Sequence, residues 1–157
     1  MEHGDLVAYV RAVHARTSEV IALLDDLTLM WRPRIGEFTA GELAVHILAS
    51  RAMNVRSVRG EATFYDGHEP PPGATAGLLR ELDGASVAAA SEGLEGADLE
   101  RAVTTISGAR IPAWRLMISG LIEHDVHHRS QLCEYLSARG ITPPALYGLH
   151  TEELRRG

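Results

Sequence analysis

The chain has no lysine and only one cysteine, Cys133. Without lysine there is no Schiff-base chemistry and no lysine general base. One cysteine excludes an internal disulfide framework and a cysteine-rich zinc module. No apolar run approaches 18 residues, so no membrane span is expected. The opening MEHGDLVAYV lacks a basic flank followed by an apolar core, which is a poor secretory signal and points to a cytoplasmic protein. Positive charge is in deficit: 15 arginines face 21 acidic residues, for a net charge of −6. That balance leaves no electrostatic footprint for nucleic acid. What is present is globular in kind, with 45% hydrophobic and 23% charged residues among 157. This fits one domain over residues 1–157, long enough to bury roughly 68–70% of its unfolded surface. The unusual feature is eight histidines, so the functional question is where they fall.

From Asp5 to Leu27 apolar residues recur at Leu6, Val10, Val13, Thr17, Val20, Leu24 and Leu27. This spacing predicts an amphipathic first helix. Trp31-Arg32-Pro33 breaks it, since proline cannot continue a helix. Thr39 with Glu42 three residues on forms a capping-box pattern that opens a second helix, running to about Arg59. Arg51, Arg56 and Arg59 suit its C-terminal half. Phe64 to Gly73, with Pro70, Pro71 and Pro72, reads as a loop. An alanine-rich third helix follows from Thr75 to about Glu92, marked by Leu78, Leu79, Leu82 and Val87 and ended by Gly93 and Gly96. Val103 to Ile106 are β-formers before Ser107-Gly108, which predicts a short hairpin over Ala102–Ile111. Pro112 opens the last helix at its first position, and Gly140 ends it. Four helices with one long crossover and a minor β element predict an all-α fold, an antiparallel four-helix bundle.

The densest chemistry is Glu123-His124-Asp125-Val126-His127-His128-Arg129. On a helix, His124 and His128 are i and i+4, about 40° apart at ~100° per residue, and can reach one point. One helix offers two ligands to a metal in this way. His127 lies about 60° to the other side and cannot easily join both neighbours on one ion. Met117, Leu121 and Tyr135 share the His124 stripe, so that stripe faces inward. His46 on the second helix is the candidate third ligand; Ala49 and Ser50 leave room beside it. The competing reading makes it a core histidine bonded to Ser50 or to a backbone carbonyl. His3, His68 and His150 fall at a terminus, in the proline loop and in the tail. His14 is one step off the first helix's stripe and is expected to border solvent. Cys133 lies about 180° from His124 and is rejected as ligand or nucleophile. Asp125 and Arg129 lie off the His124 face, with Arg129 expected in an interhelical ion pair. Gln131 returns towards the site. Glu42 is near His46 and is read first as a cap.

Trp31-Arg32-Pro33, Phe38-Thr39 and His46-Ile47-Leu48 resemble the W-x-P…S/T…H-L entry of the DinB/YfiT-like family. His124-Asp125-Val126-His127-His128-Arg129-Ser130-Gln131-Leu132 resembles its H-x-x-H-H-R-G-Q-L signature, with Ser130 in place of the usual glycine. Tyr135-Leu136 and Gly140-Ile141-Thr142-Pro143-Pro144 continue the pattern, so the likeness spans nearly the whole chain. It implies an up-down-down-up four-helix bundle with a divalent metal on three histidines, here His46, His124 and His128. The family name refers to DNA-damage induction, not to the polymerase that shares it. Some relatives use mycothiol or bacillithiol as a cosubstrate, but most have no assigned reaction.

Three neutral imidazoles leave a coordination position open, as in catalytic zinc sites. Zinc or nickel fits best, with manganese and iron also compatible with nitrogen ligands. The expected function is therefore a metal-dependent enzyme, a transferase using a low-molecular-weight thiol or a hydrolase, acting on a small molecule. The alternatives are a non-catalytic metal or small-ligand binding stress protein, and an association module. A homodimer is expected, with the alanine-rich helix at its face.

Overall fold

The computed structural model describes residues 3–34 and 37–148; His150 lies outside them. In chain order the elements are α1 (His3–Ile21), α2 (Asp26–Leu29), α3 (Ala40–Val58), α4 (Ala76–Leu94), β1 (Ala102–Thr104), β2 (Arg110–Pro112), α5 (Ala113–Leu116), a π-helical segment Met117–Glu123, and α6 (His124–Ala138). From α5 to α6 the chain is one continuous helix.

The side-chain contacts fix the helix directions. Arg80 reaches the Leu24 carbonyl and Arg11 pairs with Glu95, so α1 and α4 run antiparallel. His14 meets Leu121 and Thr17 meets Asp125, so α1 runs with the final helix. His46 faces His128 and Asn54 faces Gly120, so α3 opposes it. Arg51 pairs with Asp83 and Val55 packs at Gly93, so α3 and α4 are parallel. The result is the expected up-down-down-up helical bundle, with the antiparallel hairpin pairing Val103 with Ile111.

Because α3 and α4 run the same way, the chain between them must travel back along a helix of 19 residues, a distance of about 28 Å. That return carries Tyr65 and His68 past the N-terminal part of α3. Ser57 and Thr63 hydroxyls bond at 2.6 Å, and Arg56 donates to the Phe64 carbonyl at 2.8 Å and to Asp66 at 3.0 Å. The Arg56 guanidinium also lies 3.8 Å from the Phe64 ring centre, a cation–π contact.

Several local expectations are corrected. The first helix stops at Ile21 and not at Leu27, because Asp25 caps a new short helix by accepting from the Thr28 N–H at 2.7 Å. Leu27 is left 79% exposed. The buried face of α4 carries Leu79, Asp83, Ala90 and Leu94, while Leu82 is largely outside. Arg51 draws Asp83 inward, which sets the helix rotation. Gly93 lies inside α4, which ends at Leu94 just before Gly96; a Cβ at Gly93 would sit 2.5 Å from Val55 Cγ1, so glycine there serves helix packing. Pro112 closes β2 and caps α5 from outside the helix.

The π-helical segment was not legible in the sequence. Its Gly120 carbonyl accepts from Asn54 Nδ2 at 3.0 Å, and its Leu121 carbonyl accepts from His14 Nε2 at 3.1 Å. Side chains of two other helices thus take up carbonyls that wider helical turns present differently. A Cβ on Gly120 would lie 2.6 Å from the Asn54 amide, so this approach requires glycine.

The core divides into two clusters. One gathers Leu6, Val10, Val55, Leu94, Met117 and Leu121; the other gathers Val20, Leu24, Leu43, Leu79, Leu132 and Leu136. A buried polar group of His14, Thr17, Arg51, Asp83 and Asp125 joins the helices through the interior. Arg51 donates to Asp125 at 2.6 Å and to Asp83 at 2.7 Å, and Thr17 donates to Asp125. Two expectations fail here. His14 is only 1% exposed, because its ring turns inward to the Leu121 carbonyl. Arg51 serves these carboxylates and not the helix terminus.

Candidate metal centre

The Thr39–Glu42 capping box sets where α3 begins, and so the height of His46 one turn later. The Thr39 hydroxyl accepts from the Glu42 N–H at 3.1 Å, and the Glu42 carboxylate accepts from the Thr39 N–H at 2.6 Å. That backbone bond, chiefly, holds the Glu42 carboxyl below its ordinary range. Arg32 lies 3.5 Å from the same carboxylate. Glu42 is thus the structural cap that the sequence suggested. Phe38, beside the cap, places its ring 5.4 Å from that of His46.

On the opposing helix, His124 is the first residue of α6 and His128 follows one turn later. The ring centres are 5.1 Å apart for His46–His124, 4.5 Å for His46–His128 and 4.3 Å for His124–His128. One ring nitrogen from each of the three lies within 4.8 Å of the other two. Among the described residues this is the one such group of histidine, cysteine or carboxylate side chains. His46 Nε2 and His128 Nε2 are 3.1 Å apart, close to the ~3.3 Å edge of a tetrahedron with zinc–nitrogen arms of 2.0–2.1 Å. The donor set and its spacing therefore fit a divalent transition metal.

The surroundings keep the rings neutral. Burial, reinforced by the neighbouring His128 and His124, lowers the His46 pKa to about 4. Burial and His128 do the same to His124, to about 4, and burial lowers His128. Neutral imidazoles have lone pairs available to a metal. Two rings are also held at their far nitrogens: His128 Nδ1 is 2.6 Å from Gln131 Oε1, and His46 Nδ1 is 2.6 Å from the Tyr65 hydroxyl.

His127 is exposed, with its ring 4.8 Å from His128 and outside the trio. Cys133 packs half-buried beside the core, and burial pushes its thiol pKa up, as suits a side chain away from the chemistry. Asp125, next to His124, turns away into the buried polar group. Arg129 donates to the Val13 carbonyl and to the Tyr147 hydroxyl. The expected ion pair is replaced by bonds to neutral oxygens, because its head lies beside α1 backbone.

The sequence singled out neither Tyr65 nor a role for His68. His68 packs 4.5 Å from Phe38 and 6.4 Å from Tyr65, so the crossover adds an aromatic wall beside His46. The available signal was a Phe-Tyr pair in a segment that must run back over α3. A cleft of about 250 Å³ lined by Phe38, Leu43, Gln131, Tyr135 and Glu37 adjoins this wall. Neither this cleft nor the larger groove of about 740 Å³ between α3 and α4 has any of the three histidines in its lining; the cleft meets the centre through Phe38 and Gln131.

Among solved structures, a DinB-like protein from Bacillus cereus is similar, with 22% identity and a TM-score of 0.78, over 90% of this chain and 95% of that one. A DinB-like protein from Bacillus subtilis, YjoA, is similar with 20% identity and a TM-score of 0.75, over 90% of this chain and 97% of that one. These likenesses bear on the fold. No curated protein matches the chain. No helix among the described residues is long and apolar enough to cross a membrane. The family model of the DinB superfamily matches residues 9–132, from α1 through the histidine pair of α6, and the chain belongs to that superfamily.

Proposed function

We propose that this chain holds a divalent transition metal on His46, His124 and His128 and acts through it on a small molecule, as a thiol-dependent transferase or a hydrolase. The observation that carries the reading is the convergence of three neutral, half-buried imidazoles from two helices. Zinc or nickel is the first choice for an all-nitrogen donor set, ahead of manganese and iron. Bound there, the ion would supply Lewis acidity, favouring the deprotonated form of a thiol or water at the position the rings leave open.

The chain's own contribution is orientation and enclosure. Gln131 and Tyr65 fix two ring planes, and Phe38 and His68 wall one side. The adjoining cleft of about 250 Å³ leaves open space beside Phe38 and Gln131. The second reading, a non-catalytic metal or small-ligand binding protein, is favoured by the commitment of Glu42 to its cap, which removes the nearest candidate base. A homodimer through the exposed alanines of α4 completes the proposal, and a solution mass at several concentrations tests it.

The deciding experiment loads the metal-stripped chain with zinc, nickel, manganese or iron and measures retained metal, then thiol transfer and hydrolysis. Retention of metal by the wild type, with its loss in His124→Ala, is the expected result. Turnover then selects the enzyme, whereas retention without turnover selects the binding protein. A wild type that holds none of these metals overturns both.

A further inference from the structure

We propose that Tyr65 is a positioning residue of the three-histidine centre, its hydroxyl reversing from donor to acceptor as His46 changes tautomer when an ion is held. This rests on the metal-centre reading above. Gln131 Oε1 can only accept a hydrogen bond, so His128 Nδ1, 2.6 Å away, carries the proton. His128 Nε2 then bears a lone pair. His46 Nε2 lies 3.1 Å from it, and two lone pairs would repel at that separation. With no ion between them, that contact would require His46 to carry its proton on Nε2 and donate it to His128. His46 Nδ1 is left as an acceptor, and the Tyr65 hydroxyl, 2.6 Å away, donates to it.

A metal on all three rings needs the lone pair of His46 Nε2. That proton leaves to water, and Nδ1 takes one from water, so the ring is neutral before and after. Nδ1–H now donates to the Tyr65 oxygen. A hydroxyl serves both states because it can donate or accept, whereas a carboxylate in its place could serve only the second. Its place is secured by α3 itself, the helix that carries His46. Thr63, Phe64 and Asp66, on both sides of Tyr65, are bonded to Ser57 and Arg56. Partners of this kind, which set ligand orientation and tautomer, typically change metal affinity by 10–100-fold.

The test uses the full-length, ¹⁵N-labelled chain, with zinc as the probe ion. Imidazole nitrogen spectra should show His46 protonated on Nε2 without metal and on Nδ1 with zinc, while His128 keeps its Nδ1 proton throughout. Tyr65→Phe keeps the ring against His46 and His68 but removes the hydroxyl. Its zinc affinity, from chelator competition, should fall by ~10–100-fold with an unchanged helical far-UV spectrum. Wild-type affinity in Tyr65→Phe would overturn the proposal, as would a His46 Nδ1 proton already present without metal. The spectra of the wild type decide the matter even if the variant fails to fold. Zinc lost in His124→Ala but unchanged in Tyr65→Phe would sink only this inference. A wild type without zinc affinity would sink the metal centre as well.

Discussion

His124 and Asp125 are consecutive residues of α6, yet they enter polar clusters of different kinds. Asp125 joins Thr17, His14, Arg51 and Asp83 in the interior, where both carboxylates have a guanidinium within 2.7 Å. His124 joins His46 and His128, three like groups with no carboxylate among them. The interior cluster largely satisfies itself from within the chain: one cation answers two anions, and hydroxyl and imidazole take remaining positions. In the histidine cluster the outer nitrogens are satisfied by Tyr65 and Gln131, and the inner ones converge on each other. A cluster that completes itself holds helices together. A cluster whose inner nitrogens face one another, joined only by a proton that one ring can carry on its far side instead, serves a ligand from outside. The comparison predicts that damage to the first is read in stability and damage to the second in metal retention.

The largest effect should come from Arg51→Ala. It strands Asp83 and Asp125, both nearly inaccessible, and breaking a buried pair typically costs 3–5 kcal/mol. Against a total of about 5–15 kcal/mol for a domain, urea denaturation should show a severe loss or an unfolded chain. An Arg51→Ala chain of wild-type stability would mean that the interior cluster does not hold the bundle.

Next is the pH dependence that His14 brings. Burial, chiefly, with Arg51 adding to it, lowers its pKa from 6.5 to about 4. The folded state thus keeps His14 neutral, while the unfolded chain binds a proton near 6.5. The stability is fully present above pH 6.5 and is lost progressively as pH falls towards 4. At 1.36 kcal/mol per unit the loss is ~3 kcal/mol. Urea midpoints of wild type and His14→Gln between pH 7.5 and 4 should converge as the pH falls, and parallel curves would refute the assignment.

A smaller effect belongs to the cap. Glu42→Gln should cost about 1 kcal/mol or less, seen as a small shift in urea midpoint, and should leave metal content unchanged because the side chain is turned to Thr39. Metal lost with stability intact would make Glu42 a partner of His46 instead. Smallest of all, Cys133→Ser should leave metal content as it is, since the thiol lies outside the trio; elemental analysis of the purified variant checks this.

Much of the site was legible because it uses local rules. His124 and His128 are neighbours on any α-helix, and Thr39 and Glu42 form their box wherever the chain permits it. His46 was legible as a candidate because its helix was. Tyr65 was not, because nothing local ties a loop tyrosine to a histidine 19 positions earlier; the tie arises only once α3 and α4 are parallel. His14 and Arg51 were misplaced for a related reason. Hydrophobic periodicity treats a polar residue as an outward one, and here the inward polar residues answer one another across four helices. The rotation of α4 followed Asp83 and so escaped the same rule.

By itself, the sequence determined the helices, the hairpin, the cap of α3 and the spacing that pairs His124 with His128. These depend on contacts within a few residues, and backbone geometry settles them. Only the tertiary structure decided which faces meet. The π-helical segment changes the turn just before His124, and the carbonyls of Gly120 and Leu121 find their donors on α3 and α1. The rotation that sends His124 to His46 and Asp125 to Arg51 is therefore set by side chains far away in sequence, whose bonds exist only when the bundle has closed.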